Sequence, residues 1–77
     1  MTVENQVKSI LLDILDLNES ELDMDVHLRT GLGATSVDLV EIIAELENQF
    51  NLDISDEDAR TMLTGNDIVK YLTEKAD

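Results

Sequence analysis

Apolar residues recur along this chain at helical spacing in three places and at alternating spacing in one. Val3, Val7, Ile10, Leu11, Ile14 and Leu17 form the first stripe, with Glu4, Lys8, Asp13 and Asp16 mostly on the opposite side. The spacing predicts a helix from about Val3 to Asp16, with Thr2 as its cap. Leu12 points away from that stripe, and nothing in the sequence accounts for it. The second stripe is the strongest: Leu39, Ile42, Ile43, Leu46 and Phe50 share one arc of a helical wheel, while Asp38, Glu41 and Glu45 share an opposing one. Between those arcs lie Val37 and Ala44, with Val40 at the edge, so apolar surface remains once the core stripe is buried. A third stripe, Ile68, Tyr71 and Leu72, predicts a last helix, and Ala59, Met62 and Leu63 belong to a short one before it.

The helix starts are marked by chemistry as well as by period. Thr35 with Asp38, Ser55 with Asp58 and Thr64 with Asp67 each place a hydroxyl three residues before a carboxylate, the capping-box spacing. With Thr35 as the cap, Ser36 falls on the first helical turn, its side chain directed outward. Between Leu17 and Thr35, Leu22, Met24, Val26 and Leu28 alternate with polar residues as in a strand. A lone strand has no partner for its backbone groups, so the segment reads as an extended loop laying apolar residues over the helices. The expected fold class is all-α: a small bundle of three main helices plus one short helix, with a long first loop, in one domain over residues 1–77.

Composition narrows the chemistry. The 77 residues contain no cysteine, which excludes disulfides and thiolate-bound metal. No basic segment precedes an apolar run and no apolar run is of membrane-spanning length, so we expect a soluble, cytoplasmic protein without a signal peptide. The net charge of −13 is unevenly placed. Asp38, Glu41, Glu45, Glu47, Asp53, Asp56, Glu57 and Asp58 fall between Arg29 and Arg60 with no basic residue among them. Such a field repels nucleic acid and anionic membranes and attracts basic protein surfaces.

Familiar sites are missing. Gly31-Leu32-Gly33 lacks the Gly-Lys-Ser/Thr ending of a phosphate loop and the strand and third glycine of a dinucleotide fingerprint; its glycines suit the turn into the second helix. The acidic run from Asp53 to Asp58 fits neither the glycine nor the glutamate register of an EF-hand, so no metal site is expected beyond loose divalent-cation binding. His27, the single histidine, reads as a surface residue with no orienting partner, and Ser36 therefore lacks the base a nucleophilic enzyme needs. Exposed paired carboxylates are solvated and not tuned for proton transfer. We expect no enzyme here.

Leu32-Gly33-Ala34-Thr35-Ser36-Val37-Asp38 resembles the signature at the second helix of acyl carrier proteins. The likeness continues without a gap through Ile54-Ser55-Asp56-Glu57-Asp58-Ala59 to Ile68-Val69-Lys70-Tyr71-Leu72, nearly the whole chain. The resemblance implies that Ser36 receives 4'-phosphopantetheine from coenzyme A through a phosphopantetheinyl transferase. It also implies that acyl groups ride on that arm as thioesters to acyl-transferring and condensing enzymes of fatty-acid or related biosynthesis. Val37, Asp38, Val40, Glu41, Ala44 and Glu45 would then dock the protein, as a monomer, onto basic partner surfaces. The positions matching the family's acyl pocket are Leu28, Ile43, Leu46, Ile54, Ala59, Met62, Ile68 and Tyr71. Thr35, Val37, Ala44, Ser55 and Gly65 depart from the family's usual aspartate, leucine, methionine, proline and larger apolar residue. Those departures keep open a dedicated polyketide, lipid or peptidyl/aminoacyl carrier. From another class, a cofactor-free acidic module that binds basic partners stays open too.

Overall fold

The structure, a computed structural model, describes residues 2–75. Four α-helices follow in order: α1 (Val3–Leu15), α2 (Ser36–Phe50), α3 (Asp56–Ala59) and α4 (Gly65–Lys75). A single 3-10 turn, Glu19–Glu21, interrupts the long loop between α1 and α2. The fold is thus the all-α bundle the periodicity predicts. α1 packs along both α2 and α4, and the core gathers where they meet: Val7, Leu11, Ile42, Leu46, Ile68 and Leu72 are almost completely buried. Each sits on the stripe expected for its helix, because only a 3.6-residue repeat keeps such residues on one face.

The helix ends are fixed largely by side chains. Thr2 Oγ1 accepts the Asn5 N–H at 3.1 Å and starts α1. Asp16 ends it one residue earlier than the apolar stripe suggests, in the left-handed conformation (φ 55°). Its short polar side chain tolerates that region better than most. Thr64 and Asp67 form the expected reciprocal box, each N–H donating to the other's side chain at 3.1 Å. The Ser55 box is only half made. Ser55 Oγ accepts the Asp58 N–H at 3.1 Å, but the Asp58 carboxylate accepts the Tyr71 hydroxyl at 2.8 Å instead of returning to the cap. That bond ties α3 to α4.

The long loop finds the backbone partner a lone strand would lack. His27 and Thr64 form an isolated antiparallel bridge, and the Leu28 N–H donates to the Leu63 carbonyl at 2.8 Å. The loop is thereby pinned to the turn between α3 and α4. His27 is half-buried and not simply a surface residue: its Nδ1 accepts the Arg29 N–H at 3.1 Å and the Thr30 N–H at 3.4 Å. Leu28 is buried, and Leu22 and Met24 pack on the core, as the alternation implies. Gly33 sits at φ +78°, where a side chain would be strained, and so turns the loop into α2. Gly65 answers a different need. A Cβ there would stand 2.5 Å from Met24 Sδ, so the apolar volume missing at position 65 is supplied by the methionine lying over it. Leu12 is half-buried but is not among the residues packed on the core, and the structure gives no further account of it.

Candidate functional site: an exposed serine above an apolar cavity

The start of α2 is built so that its serine is spare. Thr35 Oγ1 accepts the Asp38 N–H at 3.1 Å, and Asp38 Oδ2 accepts the Thr35 N–H at 2.9 Å, so the neighbouring residue does all the capping. Ser36, the first residue of the helix, is exposed, and its hydroxyl makes no hydrogen bond among the described residues. The N–H groups of Ser36 and Val37 likewise have no partner there, since the bonds of the first turn belong to Asp38 and Leu39. Free amides at a helix N-terminus, with the positive end of the dipole, suit a phosphodiester esterified to this hydroxyl.

Helix geometry links that hydroxyl to a cavity. Ser36, Val40, Ala44 and Glu47 follow one another at spacings of four, four and three, which places them along one ridge. The last three line a cavity of about 450 Å³ between α2, the loop at His27–Arg29, and α3 with the turn that follows it. Of the eight residues matched to an acyl pocket, Leu28, Ile43, Ala59, Met62 and Ile68 are brought together on this lining. Leu46, Ile54 and Tyr71 are not. The first two are buried in the core cluster, and the Tyr71 hydroxyl is engaged with Asp58. Leu39, Ile42 and Leu63 join the wall without having been singled out, as do the polar residues His27, Arg29, Glu47, Asp56 and Arg60. Leu39 and Ile42 were legible only as core. The polar residues come from three segments remote in sequence and carry no periodic signal.

The expected docking residues remain on the outside of α2. Val37 is 66% and Val40 70% exposed, the largest exposures among the large apolar residues described, and Leu63 follows at 49%. Ala44 and Glu41 are exposed, while Asp38 and Glu45 are half-buried. Asp38 is committed to the cap, and Glu45 accepts a hydrogen bond from Gln49 at 3.0 Å. Glu41 has no such tie and faces solvent freely.

Among the described residues there is no cluster of three or more His, Asp or Glu placed to hold a metal, and no helix long and apolar enough to cross a membrane.

An exposed, unbonded serine hydroxyl at a helix start, over an apolar cavity and beside carboxylates, suits a carrier of covalently held groups. Comparison with known proteins agrees with that class. Residues 5–72 match the family model described as the phosphopantetheine attachment site. The chain is 41% identical over 70 residues to the acyl carrier protein of Clostridium perfringens, covering 91% of this chain and 92% of that protein. Its fold is similar to a solution structure from Anaplasma phagocytophilum assigned as an acyl carrier protein, with a TM-score of 0.89 and 33% identity over 97% of this chain and 89% of that one. A Mycobacterium tuberculosis structure with the same assignment superposes with a TM-score of 0.86 and 26% identity, over 96% of this chain and 99% of that one. The chain belongs to the acyl carrier protein family. It is a carrier and not an enzyme, and its prosthetic group is 4'-phosphopantetheine.

Proposed function

We propose that Ser36 is the attachment point, and that residues 1–77 act as a single domain delivering acyl groups between enzymes of fatty-acid or related polyketide and lipid biosynthesis. The observation that carries this reading is the division of labour at the start of α2: Thr35 caps the helix, leaving the Ser36 hydroxyl exposed and unbonded. When bound, 4'-phosphopantetheine supplies a thiol that holds acyl groups as thioesters. The protein's own part is to attach, shelter and present. The free amides of Ser36 and Val37 face the phosphodiester, the cavity beside Val40 shelters the acyl chain, and the exposed face of α2 addresses partners. A phosphopantetheinyl transferase and acyl-transferring enzymes with basic surfaces are the partners this face fits, through Val37, Val40 and Ala44 with Glu41 at their edge. Asp38 and Glu45 add charge there while serving the helix itself. A cytoplasmic setting for this exchange belongs to the same reading, and the acidic surface, which repels anionic membranes, supports it.

Exposure to coenzyme A and a phosphopantetheinyl transferase should raise the intact mass by one phosphopantetheinyl group, and Ser36→Ala should abolish the gain completely. Because Thr35 keeps the cap, Ser36→Ala should change stability by less than about 0.5 kcal/mol, as at other surface positions. A mass gain surviving in Ser36→Ala would move the attachment elsewhere. Loss of most of the helical circular dichroism would make Ser36 a structural residue.

A further inference from the structure

The cavity has a feature that a plain alkyl chain leaves unused. The sequence has only five lysines and arginines against eighteen acids, yet both of its arginines, Arg29 and Arg60, line this cavity. They come from two segments, the long loop and the turn that ends α3, thirty-one positions apart in sequence. Neither is ion-paired among the described residues, where the one salt bridge joins Lys8 to Glu4 at 3.1 Å. Two carboxylates share the lining. Glu47 already accepts the Ile54 N–H at 2.8 Å, and Asp56 lies in the first turn of α3. Both arginines are exposed, so engaging them costs little desolvation. Beneath this polar rim the wall is apolar, with Ile42, Ile43, Met62 and Ile68.

A guanidinium presents a planar fork of donors that matches a carboxylate, and two such residues on one cavity lining can offer an anion two sets of donors. The cargo of a thioester carrier is an acyl group, and the anion available at its far end is a second carboxylate. We propose that this cavity receives an ω-carboxylated acyl chain, a dicarboxylic acid held as its monothioester. Its methylenes lie on the apolar wall and its terminal carboxylate meets Arg29 and Arg60. The assignment rests on the carrier reading given above and adds to it the class of cargo.

The test loads the apo protein from octanoyl-coenzyme A and from suberoyl-coenzyme A, its ω-carboxylated counterpart, and compares melting temperatures with the unacylated holo form at low ionic strength. By charge alone, one more anion on this acidic protein would lower the melting temperature. The proposal expects suberoyl to raise it at least as much as octanoyl. In R29Q/R60Q, measured against its own holo form, the octanoyl rise should persist while the suberoyl rise falls by about 4 °C or more, the response of a domain this size to a modest interaction. R29K/R60K should restore part of it. K70Q/K75Q removes two cations from α4 and should leave the suberoyl rise intact. The proposal is overturned if suberoyl fails to stabilise the wild type, or if its rise survives in R29Q/R60Q. An equal loss in K70Q/K75Q, which would reveal a general charge effect, overturns it as well. Failure of the mass to increase on loading is a different result, and it overturns the carrier reading itself.

Discussion

The two long sides of α1's partners are built differently. Where α1 meets α4, Val7 and Leu11 have no exposed surface, and Gly65, Ile68 and Leu72 close against the same core. Where α2 faces α3, the packing stops short. α3 is four residues long and has no buried residue, the cavity opens beside it, and Val40 and Leu63 stay exposed at its lips. A four-residue helix cannot stabilise itself and must be held by its caps and by tertiary ties. In a domain this small the total stability is only a few kcal/mol, so leaving one side loose requires the other to be close-packed. Regions with few buried apolar contacts are those that open locally, and a carrier has reason to put its cargo there.

Truncating one residue on each side gives the largest expected contrast. Leu11→Ala should cost about 4 kcal/mol, because a completely enclosed site relaxes little around the void. Met62→Ala, on the wall of an existing cavity, should cost about 2 kcal/mol, since the α3 side can shift to close part of the gap. Urea unfolding of the two variants measures this directly. Equal costs would mean that the α3 side is as firmly packed as the α1 side, and that the cavity is not a compliant region.

This contrast is only half written in the sequence. The α1 side follows from period and capping: Val7, Leu11, Ile42, Leu46 and Leu72 occupy positions that a helical wheel assigns to the core. Thr35 and Asp38 likewise identify the serine's place, because a capping box is a local device whose members are three residues apart. Asn18 and Glu21 carry the same spacing on the 3-10 turn, where the Asn18 N–H donates to Glu21 Oε1 at 2.9 Å and the Glu21 N–H to the Asn18 backbone carbonyl. The cavity is different in kind. Its lining joins residues from His27 to Ile68, so Arg29 and Arg60 come to one lining through the bridge between His27 and Thr64 and the placement of α3. Tyr71 shows the same limit. Its place on the third stripe is legible, whereas the pairing of its hydroxyl with Asp58, thirteen residues back, depends on where α3 lies.

That pairing is the next place to sharpen the contrast, since it is a tie between the loose helix and the firm one. Burial, then the hydrogen bond to Asp58, then that carboxylate's charge raise the Tyr71 phenol above its ordinary pKa. A phenol whose folded pKa is raised contributes stability below its unfolded value of about 10, and loses it as the pH climbs through the folded value. Tyr71→Phe should therefore cost about 0.5–1 kcal/mol near neutral pH, the worth of a part-exposed hydrogen bond. The deficit should shrink above about pH 10, where the wild-type phenolate would face the Asp58 carboxylate. A deficit independent of pH would mean that the hydroxyl does not hold α3.

The smallest effect on the fold comes from the acidic face, where salt separates folding from docking. Of the eight carboxylates between Arg29 and Arg60, Asp38, Glu45, Glu47 and Asp58 accept hydrogen bonds from within the protein. Glu41 has no such bond and lies exposed on α2, five residues from Ser36. In the free protein these like charges repel, and salt should stabilise the fold, because the Debye length is about 10 Å at 0.1 M. Docking on a basic partner should weaken under the same salt, which screens the attraction that steers association. Glu41→Lys should mimic both changes. It should leave the melting temperature unchanged or slightly raised, yet lower the transferase kcat/KM severalfold at low salt, with the gap to wild type narrowing as salt is added. Melting curves beside transferase kinetics, over one salt series for both proteins, measure the two effects together. Equal kcat/KM for the two proteins at low salt would remove the free side of α2 from partner recognition, leaving its charge as a feature of solubility alone.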